Sequence, residues 1–346
     1  MTDEALLALL PERLLPWFAA NRRALPWRAD REPYHVWLSE IMLQQTRVEA
    51  VRGYYLRFLQ ALPTVEALAA APEEQLLKLW EGLGYYTRVR NLQRAAQEIT
   101  ARGAFPQDYN AVRALPGIGA YTAGAICSIC FEQPTAAVDG NVLRVFSRYL
   151  ASSAPIGEEK TKKEVASLLS AVYPAGHCGD FTQALMELGA TVCLPNGAPQ
   201  CARCPLVETC RANAAGTQLS YPVKAKKRPR RVEERTVLLL RCGDCIAVCR
   251  RPDKGLLAGL WQLPDAEGTL TAQQALELAA QWQTHPVALE RTVRRRHIFT
   301  HITWELTGVW LQCTAMPEQF SWFTPAELRQ DVGLPTAYRQ FLEDII

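Results

Sequence analysis

The chain has 346 residues, with 38 Lys and Arg against 35 Asp and Glu, a formal net charge of +3 and 49% hydrophobic residues. That length suits two domains with sizeable cores, and the mildly basic balance permits nucleic acid as a partner without demanding it. No apolar run approaches the roughly 18 residues of a membrane span and the N-terminus lacks a secretory pattern, which excludes a membrane partner and implies a cytoplasmic setting, where 11 cysteines point to metal before disulfides.

Residues 6–20 read as an amphipathic helix, followed by an irregular Leu25-Pro26-Trp27-Arg28 segment. Trp37, Leu38, Ile41, Met42, Val48 and Val51 keep helical spacing over Val36–Val51. Glu40, Gln44 and Arg47 then share the opposite face, with Gln45 at its edge. That face is either a solvated polar stripe or a carboxyl presented from a rigid helix into a cleft. Thr64 and Pro72 begin short helices that reach Trp80. Gly82-Leu83-Gly84-Tyr85-Tyr86 interrupts them, and Val89, Leu92, Ala96 and Ile99 mark the next helix. Glycines beside tyrosines and arginines suit a loop that stacks on bases, or a buried Tyr pair in a turn.

At Leu115-Pro116-Gly117-Ile118-Gly119, Pro116 stops one helix and the glycines turn the chain into another over Ala120–Cys130. A helix starting at such a turn offers unpaired N–H groups to an anion. Asp139 precedes a helix over Asn141–Leu150, with Val142, Val145, Phe146 and Tyr149 inward and Arg144 and Arg148 outward. Asp139 is placed to cap it or to supply a functional carboxylate. Gln183 and Glu187 lie four apart on a later helix. Cys193, Cys201, Cys204 and Cys210 form a compact four-thiolate set for zinc or an iron–sulfur cluster.

Residues 216–236 are rich in Lys, Arg and Pro and read as a basic linker, a solvated tether or a phosphate contact. The period then switches to two. Val237–Arg241 and Ile246–Cys249 form a hairpin about a Cys242–Cys245 turn, Leu256–Pro264 a Gly-rich turn and short strand, and 298–306 an alternating strand. Helices are expected over 271–283 with Thr271 as cap, from Thr324-Pro325, and over 335–345. The first part is almost all helical and the second α+β.

Together, Trp37-Leu38-Ser39-Glu40-Ile41-Met42-Leu43-Gln44-Gln45-Thr46, the Gly82–Tyr86 loop, the Leu115 hairpin, Val138-Asp139-Gly140-Asn141-Val142 and the cysteines resemble the MutY adenine DNA glycosylases. These belong to the helix–hairpin–helix, iron–sulfur glycosylase superfamily. The resemblance runs from about Leu6 to the C-terminus. It implies an all-α helix–hairpin–helix glycosylase domain with a [4Fe–4S] cluster over 1–215, a linker over 216–232 and an α+β Nudix-like lesion-recognition domain over 233–346. It further implies a monomer, bacterial and nucleoid-associated, acting on double-stranded DNA with adenine opposite 8-oxoguanine or guanine.

An enzyme acting on a paired base must flip it out. Adenine leaves poorly, so an acid with a raised pKa must protonate it, and a fixed carboxylate must stabilise the oxocarbenium-like sugar. The resemblance gives the first task to Glu40 and the second to Asp139, with Tyr121 and Asn141 in support. It places Trp27, Arg28, Gln45 and Gln183 around the flipped adenine or the gap it leaves. Leu83 and Tyr85 are placed beside the 8-oxoguanine, and Thr46 is placed in contact with that base. Gly117 and Gly119 fall on the DNA-gripping hairpin. Phe299-Thr300-His301 stands where the family carries a Phe-Ser-His element that reads 8-oxoguanine, with Thr300 keeping the hydroxyl; that role requires a turn where a plain strand is the alternative. Cys193, Cys201, Cys204 and Cys210 match the cluster ligands, although seven residues separate the first two where the family has six. A Nudix hydrolase signature is lacking, so the second domain is expected to bind nucleotides without hydrolysing them.

Tyr121 occupies the position at which the endonuclease III branch carries a lysine, whose amine forms a Schiff base and cuts the strand. A phenol cannot, so strand-cutting lyase chemistry is not expected. A bifunctional glycosylase-lyase on oxidised pyrimidines and a lesion-binding module without catalysis are the alternatives. Tyr121 opposes the first, and the presence of both Glu40 and Asp139 opposes the second.

Overall fold

The structure is a computed structural model that describes residues 1–224 and 229–343. Lys226, Lys227 and Arg228 of the expected linker lie outside the described residues, as do the last residues of the expected C-terminal helix. The chain divides into two compact units. One comprises residues 1–70 and 91–226, the other residues 71–90 and 227–346.

The first unit is helical. It contains α1 (Asp3–Ala8), α2 (Leu10–Asn21), α3 (Pro33–Leu43), α4 (Val48–Ala61) and α5 (Val65–Ala70). Helix α6 (Glu73–Leu79) belongs to the second unit, and α7 (Thr87–Arg102) begins there and ends in the first. Then come α8 (Tyr109–Arg113), α9 (Ala120–Phe131), α10 (Gly140–Leu150), α11 (Glu159–Ser170), α12 (Cys178–Thr191) and α13 (Arg211–Ala214).

Two single helices of the sequence reading are pairs of helices here. The expected 6–20 helix is broken at Leu9, and Val36–Val51 is α3 and α4 separated by Gln44–Arg47. Gln45 has φ +60°, in the left-handed region, so α3 cannot run on. The core of this unit packs Leu7, Leu10, Leu14 and Phe18 against Val142, Val145, Tyr149, Phe181, Leu185 and Leu188.

Helices α10 and α12 approach closely because Gly189 has no side chain. A Cβ there would lie 2.5 Å from the Asn141 Cβ and 3.0 Å from its Cα. Gly189→Ala is therefore expected to cost about 1–3 kcal/mol of stability and to displace Asn141, measured by urea unfolding.

The second unit is a sheet with helices on both faces. Its strands are β1 (Arg231–Cys242), β2 (Cys245–Arg250), β3 (Trp261–Gln262), β4 (Asp265–Glu267), β5 (Pro286–Ile298), β6 (Ile302–Cys313) and β7 (Ser321–Phe323). The order is β3-β2-β1-β6-β5, with β4 paired to β1 and β7 to β2. Strands β1 and β6 run parallel, from Arg231 opposite Ile302 to Arg241 opposite Gln312.

Parallel pairs are usually covered on both faces, and the run Val237-Leu238-Leu239-Leu240 reports that. Val237 and Leu239 face a core with Leu328, Tyr338 and Phe341, whereas Leu238 and Leu240 face Ala275 and Ala279. These come from α14 (Ala272–Gln281) on one side and from α15 (Pro325–Gln330), α16 (Thr336–Arg339) and the turn after it on the other. The expected 335–345 helix is thus only one turn long. Thr271 and Thr324 each close a capping box, with Gln274 and Glu327. The Cys242–Cys245 hairpin has the expected register.

The expected strand over 298–306 is interrupted. Strand β5 ends at Ile298, β6 starts at Ile302, and Phe299–His301 turns the chain between them, closed by the Phe299 N–H donating to the Ile302 carbonyl at 2.8 Å.

Candidate active site

Helix α3 begins on Pro33, whose missing N–H costs nothing at a helix start. It is buried nearly all round, from Tyr34 through Met42. A helix enclosed on every side carries any polar residue inward, and Glu40 is only 6% exposed. The solvated-stripe alternative therefore does not hold. The Tyr121 hydroxyl, at the start of α9, donates to Glu40 Oε2. Burial pushes the Glu40 carboxyl up to about 7; the Tyr121 hydrogen bond and the Arg28 charge pull it down, and the negative charge of Asp139 raises it further.

Asp139 caps α10 and faces the same cavity, so the two sequence alternatives coincide. Its Oδ1 accepts from the Val142 N–H at 2.7 Å and its Oδ2 from Asn141 Nδ2 at 2.6 Å. Burial raises its pKa, while these donors and the Arg144 charge oppose the rise. Arg144 Nη2 donates in turn to Asn141 Oδ1 at 2.8 Å. Two carboxyls sharing an enclosed space do not both ionise readily. Asp139 has two donors besides the Arg144 charge, whereas Glu40 has one hydroxyl and the Arg28 charge, an arrangement that favours the proton on Glu40.

The cavity holds about 600 Å³ and is lined by Trp27, Arg28, Glu40, Gln45, Thr46, Tyr121, Asp139, Asn141 and Gln183. These are the residues that the sequence reading assigned to catalysis and to the adenine, together with Thr46. Trp27 sits in a short turn, Pro26–Arg28, edge-on to Tyr55 at 5.5 Å between ring centroids.

Glu187 was visible in the sequence only as Gln183's neighbour one turn on, and here it forms part of the wall. It is 1% exposed and accepts from Arg23 Nε at 2.7 Å, Arg23 Nη2 at 2.9 Å and Arg28 Nη2 at 2.9 Å. These contacts hold its carboxyl below the usual range against the opposing effect of burial. A lone acid on an apolar helix face is the only sequence signal for it.

The hairpin joins α8 to α9. Gly117 has φ +77°, and a Cβ there would lie 2.7 Å from the Asn91 Cβ, so glycine is required. Gly119 differs: its backbone is extended and nothing lies within 4 Å of a Cβ, so the conformation does not demand glycine.

Arg144 and Arg148 were expected to point outward, but they are 6% and 3% exposed. Arg144 donates to the carbonyls of Gly189 and Cys193 at 2.7 and 2.8 Å. Arg148 donates to the Leu194 carbonyl at 2.8 Å and to Cys193 Sγ at 3.3 Å. Both turn inward because the last turn of α12 and the loop after it present carbonyls that only a long cationic side chain reaches. Cys193, Cys201, Cys204 and Cys210 surround one small cavity there with Arg148 and Gln218. Cys178 starts α12, at the other end of the helix that precedes Cys193.

Within the second unit, Leu83 is 6% exposed, whereas Tyr85, with φ +48°, is 48% exposed. Arg88 lies over the Tyr85 ring at 5.6 Å. The Tyr85 hydroxyl meets the Thr300 hydroxyl at the tip of the β5–β6 turn. Phe299 packs edge-on to Trp304 at 4.9 Å, while Thr300 and His301 are exposed. The turn that the lesion-reading role requires is therefore present, and the plain strand is not.

Residues 38–171 match the family of HhH-GPD superfamily base excision DNA repair proteins, and residues 236–344 match the NUDIX domain. The human adenine DNA glycosylase is 34% identical over 91% of this chain and 70% of its own length. The enzyme of Buchnera aphidicola (subsp. Baizongia pistaciae) is 30% identical over 96% of each. Among solved structures, a thermostable thymine-DNA glycosylase superposes with a TM-score of 0.56 at 28% identity, covering 61% of this chain and 98% of that one. An endonuclease III in a covalent DNA complex gives 0.53 at 24% identity over 62% and 99%, which speaks for the fold alone. Among the described residues no helix is long and apolar enough to cross a membrane. The chain belongs to the adenine DNA glycosylase family.

Proposed function

We propose that this protein removes adenine mispaired with 8-oxoguanine or guanine, using Glu40 as the acid and Asp139 as the carboxylate that stabilises the electron-poor sugar. The observation that carries this reading is one cavity lined by two carboxyls in different environments. Glu40 is raised to about 7 and so holds a proton to deliver to a ring nitrogen of the base. Asp139 is braced by Val142 and Asn141 and keeps its charge for the oxocarbenium-like centre as the glycosidic bond lengthens. Tyr121 fixes Glu40 through its hydroxyl and has no amine to attack the sugar. Trp27, Arg28, Gln45 and Gln183 supply the walls against which a flipped base rests.

In this reading residues 1–215 form the glycosylase domain and 233–346 the lesion-reading domain, with Leu83, Tyr85, Phe299, Thr300 and His301 meeting the base opposite the adenine. The four cysteines suit a [4Fe–4S] cluster. They ring one cavity, yet among the described residues no three Cys, His, Asp or Glu side chains are close enough to hold a single ion. Arg148 and Gln218 donate to the sulfurs of Cys193 and Cys201. A bound cluster would tie together the loop that follows α12.

The test is a duplex with adenine opposite 8-oxoguanine, incubated with the protein and then treated with alkali. A break at the adenine only after alkali is expected. A break without alkali would favour a lyase, and tight binding with no break a module that recognises lesions without excising them.

A further inference from the structure

Strand β5 pairs with β6 alone among the described residues, so its other edge is open. All of it except Pro286, Val293 and His297 is exposed. Open edges are commonly guarded by a charge, but here β5 carries four arginines, Arg291, Arg294, Arg295 and Arg296, three of them in the half that leads to the turn. Two of them are engaged. Arg291 lies over the Trp310 ring at 4.6 Å, and Arg296 donates to Glu305 at 2.7 Å. Arg294 and Arg295 have no acidic partner among the described residues, and the one acid on the strand, Glu290, is held by Arg241.

The spacing fits a DNA groove. At about 3.4 Å per residue, Arg296 and Arg294 lie about 10 and 17 Å before Phe299. The major groove is about 8.5 Å deep and admits a two-stranded ribbon. A ribbon whose tip meets a base edge therefore carries Arg296 near the lip of the groove and leaves Arg295 and Arg294, about 14 and 17 Å before Phe299, just outside it, from where their long side chains reach back to the phosphates. Side chains alternate along a strand, so Arg294 and Arg295 project from opposite faces, one toward each wall.

We propose that Arg294 and Arg295 of β5 grip DNA phosphates on the two sides of the groove entered by the Phe299–His301 turn, supplying affinity that carries no base information. The placement rests on the lesion-reading role of that turn.

The experiment is a salt series with the full-length protein and an undamaged duplex, following the dissociation constant by fluorescence anisotropy. The slope of log affinity against log salt is expected to become shallower by about 1 in Arg294→Ala or Arg295→Ala and by about 2 in the double variant. The double Lys variant should recover the slope, because a lysine also neutralises a phosphate. The preference for 8-oxoguanine:A over G:A, read as a ratio of excision rates, should stay unchanged. An unaltered slope in the double Ala variant, a slope that lysine fails to restore, or a changed lesion preference overturns the proposal. Thr300→Val separates the two ideas: it should lower the lesion preference and leave the slope alone. If it does not lower the preference, the turn's role fails while the slope result still decides the role of β5.

Discussion

Replacing Glu40 by Gln is expected to slow adenine release by about 100- to 10,000-fold while leaving binding to the mispaired duplex within a few-fold. Gln keeps the length of the side chain and a carbonyl to accept from the Tyr121 hydroxyl, so the cavity keeps its shape. What disappears is the dissociable proton. In the unsubstituted protein burial lifts that proton's pKa to about 7. The single-turnover rate should therefore fall as pH rises through about 7, and the residual rate of the variant should show no such fall. The same shift affects stability. Between the ordinary carboxyl value of 4.5 and about 7 the folded state binds this proton more tightly than the unfolded chain. Its contribution is complete below that window and is lost as pH rises through it, so the Gln variant should lack this decline. Excision by the variant at the normal rate would end the acid assignment.

Arg144→Ala is the second large effect. One guanidinium serves the Gly140, Gly189 and Cys193 carbonyls and the Asn141 amide oxygen. Removing it strands several buried acceptors, each costing about 1–3 kcal/mol and not adding independently. A loss of about 3 kcal/mol or more is expected, which lowers the melting temperature by roughly 6–12 °C for a domain of this size. Asn141 also loses its support on the side away from Asp139. Excision should consequently fall further than in Arg148→Ala, whose contacts are to the Cys193 sulfur and to carbonyls remote from the carboxylates. A melting temperature unchanged in Arg144→Ala would show that the network is dispensable.

The grouping of Glu40, Asp139 and Tyr121 in one cavity and of the four cysteines around another was legible, because short motifs preserve residue types and spacings. The inward course of Arg144 and Arg148 was not. Helical periodicity assigns charge to the outer face, and nothing in α10 announces that the loop after Val192 will offer carbonyls on that side. The pairing of Glu187 with Arg23 and Arg28 spans about half the chain, beyond any local pattern. The turn at Phe299–His301 was hidden for a different reason. It contains no Gly, Pro or Asn, and its residues alternate in polarity as a strand would. Its hydrogen bond and the packing of Phe299 on Trp304 define it instead. The break between α3 and α4 was masked because apolar spacing happens to continue across Gln45.

The clamp of Arg23 and Arg28 on Glu187 also bears on how a base is captured. A free arginine side chain carries about 2 kcal/mol of rotamer freedom, and a ligand that immobilises it must overcome that cost. Here the folded chain has already confined Arg28 through Glu187. In the proposed reaction, an extruded purine entering the cavity meets a wall whose disorder was surrendered during folding. More of its contact energy therefore remains to offset unstacking from the duplex.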